Sequence, residues 1–155
     1  MYKKLFWVFF ISMLPIIELR GAIPVGAAND IPFLLNYFVC VAGNILPVPF
    51  LILFAKKLLV WLSHFNKIGS FFKKITNKAD EKAKTIGKYE LLGLYLFVAI
   101  PIPGTGAWMG SLVATVLRLR LIPSFIVIVC GVLTSGLIMG FASYGLFNIL
   151  GNFFA

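Results

Sequence analysis

Apolar residues in this chain fall in long, unbroken blocks: Leu5–Ile17, Ile31–Leu62, Leu91–Leu117 and Leu121–Leu150. Segments hydrophobic all the way round belong in a core or a bilayer, and about 20 such residues cross one. Ile31–Leu62 and Leu121–Leu150 meet that length. Leu5–Ile17 and Leu91–Ile100 do not, and runs of about 10–14 apolar residues suit re-entrant segments that enter the membrane and turn back.

Two stretches rich in helix breakers interrupt the pattern, Glu18-Leu-Arg20-Gly21-Ala-Ile-Pro24-Val-Gly26 and Pro101-Ile-Pro103-Gly104-Thr105-Gly106-Ala-Trp108-Met-Gly110. Each follows a short apolar run and precedes a long one, so one plan is used twice. Matching short, Pro/Gly-interrupted segments in two halves are the sequence signature of a transporter built from repeats. The expected fold is an all-α polytopic membrane protein, with two re-entrant helical hairpins and transmembrane helices in an inverted repeat.

The polar block Ser63–Glu90 carries seven lysines, three acids and His64. Phe65, Ile68, Phe72, Ile75, Ala79, Ala83 and Ile86 recur at steps of three and four, with Lys74, Lys78 and Lys82 on another face. This predicts a basic amphipathic helix lying on the membrane surface. The expected organisation is therefore one membrane domain, residues 1–155: a first half to about 62, a connector over 63–90, and a second half from about 91.

Composition agrees. Of 155 residues, 61% are apolar and the mean hydropathy is +1.00, against about 45–50% apolar in soluble domains. The net charge is +9, and seven of the eleven lysines cluster in the one block beside apolar spans. That favours a cytoplasmic membrane face and anionic lipids over nucleic acid, for which no binding motif is present. Cys40 and Cys130 lie within apolar runs and are expected as small core residues, with no disulfide or metal framework. Lys3, Lys4, the following apolar run and Val25-Gly-Ala27 imitate a secretory signal. Cleavage would delete Glu18 and Arg20, so the segment is expected to be retained.

The lysine block sets orientation. A full crossing by Leu91–Leu117 would carry Arg118 and Arg120 to the far side, whereas a re-entrant hairpin tipped at Pro101–Gly106 keeps them cytoplasmic. An inverted first half then places the N-terminus outside.

Glu18 and Arg20 are the leading candidates for chemistry. Residues two apart do not share a helix face, so pairing them requires unwinding, which Gly21 and Pro24 would assist. Arginine binds phosphate or carboxylate through its bidentate fork. A carboxylate at such depth suits proton exchange. In the second break, Pro101, Pro103, Gly104, Thr105 and Gly106 make a tight tip from which a half-helix begins at Ala107. Its free N–H groups and positive dipole end favour an anion, and Trp108 serves as cavity lining or interface anchor. Asn44, with Pro47 and Pro49, is expected to kink the long helix beside the site and to act as a ligand or a helix–helix hydrogen-bond partner. Gly106-xxx-Gly110 and Gly136-xxx-Gly140 permit close helix approach within the protomer or in a homodimer. No catalytic triad, metal cluster or nucleotide loop is present, so neither an enzyme nor a cofactor is expected; proton coupling at Glu18 is.

At the two breaks, Glu18–Gly26 and Ile100–Gly110, the chain resembles the bacterial and archaeal small multidrug export protein family, over nearly its whole length. That family is similar in plan to the DedA-type, SNARE-associated membrane superfamily, which includes lipid scramblases and undecaprenyl-phosphate translocases. The resemblance implies two inward-facing re-entrant hairpins, with an acidic residue in the first, matched by Glu18, and a Pro-Gly motif in the second, matched by Pro103-Gly104. Superfamily members also carry arginine beside the Pro-Gly tip; here only Arg20, Arg118 and Arg120 are available.

These readings converge on a multi-pass protein of a prokaryotic inner membrane. It would move an amphipathic or anionic substrate, a lipid phosphate or drug-like molecule, through paired hairpins. The alternative is a non-transporting scaffold or membrane-homeostasis protein that recruits partners through the lysine-rich helix.

Overall fold

The computed structural model describes residues 2–62 and 88–154. The amphipathic helix expected over 63–87 lies outside the described residues. Those described form α1 (Tyr2–Met13), α2 (Glu18–Ala28), α3 (Phe33–Ile45), α4 (Val48–Leu62), α5 (Lys88–Ala99), α6 (Ala107–Val116) and α7 (Leu121–Phe154), with no strand among them. Lys88–Glu90, assigned from sequence to the connector, are the first turn of α5.

Two long apolar segments have the length of a membrane span. Phe33–Phe54 covers 22 residues at mean hydropathy 2.1, and Leu121–Leu146 covers 26 at 2.4. The first is interrupted at Leu46–Pro47, between α3 and α4. Pro47 and Pro49 supply no N–H to the turn before them, which accounts for the kink expected there. By contrast α1, α2, α5 and α6 have 10 to 12 residues each. At 1.5 Å per residue none exceeds about 18 Å, well short of a ~30 Å hydrocarbon core.

The short helices pair as two hairpins, α1–α2 with its tip at Leu14–Ile17 and α5–α6 with its tip at Ile100–Gly106. The Lys4 ammonium donates to the Asn29 carbonyl at 2.9 Å, joining the open ends of the first hairpin. Ser12 donates to the Cys40 carbonyl at 2.7 Å and Gly43 packs against Phe9 and Ser12, so the end of α1 lies beside the later part of α3; as α3 starts next to the open end of the hairpin, the two run in the same direction. In the second half Gly131 packs against Val98 and Tyr95 shares a hydrogen bond with Thr134 at 2.9 Å; α7 starts at Leu121, just after the chain reverses at the open end of the hairpin, so it too runs in the direction of α5. The spans themselves run in opposite directions: Tyr37 donates to the Leu133 carbonyl at 3.1 Å, and Tyr144 to that of Ile31 at 2.6 Å.

The second limb of each hairpin packs against the other half, α2 on α7 and α6 on α4. Val8, Leu19, Ala22, Ile23, Cys40, Val98, Ala107, Ile128 and Val132 form the centre of the packed core. Outside it, Phe6, Trp7, Phe38, Phe50, Phe54, Ile122 and Ile126 are all more than half exposed. Apolar exposure on that scale fits hydrocarbon surroundings. Cys40 is buried, as expected. Cys130 is exposed, because its helix turns Gly131 and not Cys130 toward Val98.

Glu18–Gly26 is not a break. The interruption lies one turn earlier, and Glu18–Ala28 is helical with Pro24 inside it. Pro15 is the cause: proline disfavours the helical region for the residue before it, and α1 stops at Met13. The chain then turns through Ile16 at φ 79° and Glu18 at φ 50°, costly values for side chains with a Cβ. Gly21 and Pro24 lower the propensity of α2, yet its buried face of Leu19, Ala22, Ile23, Gly26 and Ala27 packs on α3 and α7. Tertiary packing overrides that deficit.

Candidate functional site

The hairpin tips meet, and the contacts between them are polar. Glu18, 3% exposed, opens α2 and faces the start of α6. Its Oε1 accepts the Trp108 amide at 3.0 Å, and the carboxylate also faces the Ala107 amide. Those are the first two residues of a helix whose N-cap, Gly106, contributes no side-chain cap. Glu18 therefore supplies the cap from the opposite hairpin, placing a negative charge at the positive end of α6. A charge-assisted bond of this kind contributes about 1.5–3 kcal/mol.

Only glycine fits at position 106. Its φ is 117°, and a Cβ there would collide with the Glu18 carboxylate. Gly104, at φ 84°, turns the exposed end of the same tip with Pro103. Thr105 closes that loop from within, donating to the carbonyls of Ile100 at 3.1 Å and Ile102 at 2.9 Å. Pro101 is half-buried behind them.

Arg20 reaches the same loop from the other direction. Its guanidinium donates to the carbonyls of Ile102 and of Ile100, the latter at 3.1 Å, with a longer contact of 3.4 Å to Val98. These oxygens lie at the C-terminal end of α5, where the helix dipole is negative. The acid and the base of the first tip thus serve the two sides of the second tip, one the helix that leaves it and the other the helix that enters it, and no unwinding of α2 is needed to accommodate them. Trp108 completes the junction: its indole Nε1 donates to the Met13 carbonyl at 3.1 Å, where α1 ends.

The half-helix at Ala107 begins where the sequence indicates, but its leading amides are not free. Glu18 holds them. Gly21 and Pro24, placed by sequence in the same break, lie down α2 and away from the contacts between tips.

Asn44 is 1% exposed, and neither its Oδ1 nor its Nδ2 has a hydrogen-bond partner. Its neighbour Gly43 packs on Ser12, one residue before the Met13 carbonyl that receives Trp108. Asn44 therefore lies at the depth of the tips. Unpaired buried polar groups are few in folded proteins and call for an explanation.

The sequence reading did not single out Asn36. Fully buried, it donates to the Ile23 carbonyl at 2.9 Å, bonds the Tyr144 hydroxyl at 3.0 Å and accepts from the Cys40 thiol at 3.3 Å. Asn36 thus ties α2, α3 and α7 together, with Gly26 leaving room for its side chain. The available signal was spacing: Asn36, Cys40 and Asn44 follow at steps of four and mark one face of α3.

The two GxxxG pairs serve packing inside the protomer. Gly110 lies against Val98 and Ile128, Gly136 against Tyr37 and Val41, and Gly140 against Phe33.

No curated protein and no solved structure matches the chain. A family model, described as "Putative small multi-drug export protein", matches residues 18–138, from the Glu18 that opens α2 to the middle of α7. With Glu18, Arg20, the whole second hairpin and the first apolar span inside that match, which ends within the second span, the chain belongs to this family of membrane proteins.

Proposed function

We propose that the chain is a small inner-membrane transporter that moves an amphipathic or anionic substrate past the junction of its two hairpin tips. The observation that carries this reading is the Glu18 carboxylate on the α6 N-terminus. A helix start is an anion site, and here an internal carboxylate occupies it. An incoming phosphate or carboxylate competes for the same amides.

Protonation of Glu18 removes the charge that strengthens its bond to Trp108. The α6 amides then become available to the substrate's anionic group. Arg20, released from the α5 carbonyls, supplies a bidentate partner. Loss of the proton restores the internal cap and expels the headgroup. The opposed directions of α3 and α7 support an inverted repeat, in which either hairpin can open toward its own side of the membrane.

The test is flux in proteoliposomes, with a fluorescent lipid phosphate and a cationic dye assayed side by side under an imposed pH gradient. The lipid phosphate should move in a gradient-dependent manner. Glu18→Gln should make its flux indifferent to the gradient, and Arg20→Ala should abolish it. Wild-type flux and gradient response in both folded variants would remove this assignment.

A further inference from the structure

A second feature lies away from the tips, where the α2–α3 turn meets α7. Phe33, Phe141 and Tyr144 border an open groove of about 300 Å³, floored by Gly140 and Gly145. The rings are grouped: Phe33 lies 5.4 Å from Tyr144 in an edge arrangement and 5.8 Å from Phe141, centroid to centroid. Tyr144 is fixed, since its hydroxyl donates to the Ile31 carbonyl and accepts from Asn36. Phe141 is 71% exposed. Gly140 lets Phe33 seat against α7, for a Cβ there would strike that ring, whereas Gly145 has open space beside it.

One residue before Ile31 stands Asp30, the one exposed acidic side chain among the described residues. The nearby Lys4 ammonium is directed to the Asn29 carbonyl. Clustered aromatic faces beside a carboxylate attract a cation, the rings through their quadrupoles and the acid through its charge.

We propose that this groove binds a freely diffusing organic cation of the aryl-alkylammonium type, with Phe33, Phe141 and Tyr144 around the cationic head and Asp30 at its rim. The site uses no residue of the tip junction, so it stands or falls independently of the transport reading.

The probe is benzyltrimethylammonium, with neopentylbenzene as its neutral isostere, in equilibrium dialysis against the purified full-length protein in detergent. Binding should be selective for the cation. Phe141→Ala should weaken it about fivefold, the value of one cation–aromatic contact of about 1 kcal/mol. Asp30→Asn should weaken it by an amount that shrinks as salt rises. Gly145→Leu fills the groove where nothing stands in its way and improves helix propensity. It should abolish binding while leaving thermal stability unchanged or raised. Equal binding of the neutral isostere, or undiminished binding in folded Gly145→Leu, would overturn the proposal. Displacement of the probe by phosphatidylcholine nanodiscs and not by free choline would overturn the commitment to a freely diffusing cation.

Discussion

Replacing Asn44 by leucine should make this protein more stable and less active. The amide is 1% exposed and unpaired at both ends. Leaving a buried donor or acceptor unsatisfied costs about 1–3 kcal/mol. Two such groups at about 1 kcal/mol each give about 2 kcal/mol, which leucine, of similar size, recovers. For a chain of this length that corresponds to a rise in melting temperature of about 4–8 °C. Asn36, on the same face of α3, supplies the contrast. Its amide bonds Ile23 and Tyr144 and accepts from Cys40, so Asn36→Leu orphans its partners and should destabilise by about 2 kcal/mol or more. The assay is thermal melting of both variants in one detergent, paired with proteoliposome flux. The functional reading requires Asn44→Leu to melt higher and transport less, because natural proteins retain a destabilising group where activity needs it. A lower melting temperature for Asn44→Leu would refute the energetic reasoning. Raised stability with unchanged flux would show that the amide takes no part in transport.

Further expectations concern the junction and the two thiols. Gly106→Ala should cost more than about 2 kcal/mol, combining a strained φ with a collision against Glu18. Adding Glu18→Ala should restore part of that loss, and strictly additive melting shifts in the four-protein cycle would deny the contact. In the folded, detergent-solubilised protein a lipophilic maleimide should label exposed Cys130 and spare Cys40, which is fully buried; equal labelling by mass spectrometry would contradict the packing of α3.

How much of this was legible depended on whether the deciding contact was local. Pro101, Pro103, Gly104 and Gly106 crowd into six positions, and no packing turns such a stretch into helix, so the second tip and the start of α6 could be read directly. The first tip was harder. Pro24 and Gly21 look like breakers, but burial of their helix against α3 and α7 overrides them, while the effective breaker, Pro15, lies hidden in an apolar run. The importance of Glu18 and Arg20 was visible from charge inside a greasy segment. Their partners were not, because Trp108 is 90 residues away and the Val98–Ile102 carbonyls about as far. Asn36 escaped because its neighbours Ile23 and Tyr144 come from two other helices. The exposure of Cys130 depended on which side of α7 turned inward, which a uniformly apolar segment does not encode.

The exchange of limbs, α2 lying on α7 and α6 on α4, constrains how the protein is made. A ribosome delivers the first hairpin and its span long before α7 exists, and until then Leu19, Ala22 and Ile23 lack their cover on that side. The nascent first half must wait in the bilayer incomplete, and neither half expressed alone inherits a finished interior. Closure of this core therefore waits for α7, which covers elements of both halves.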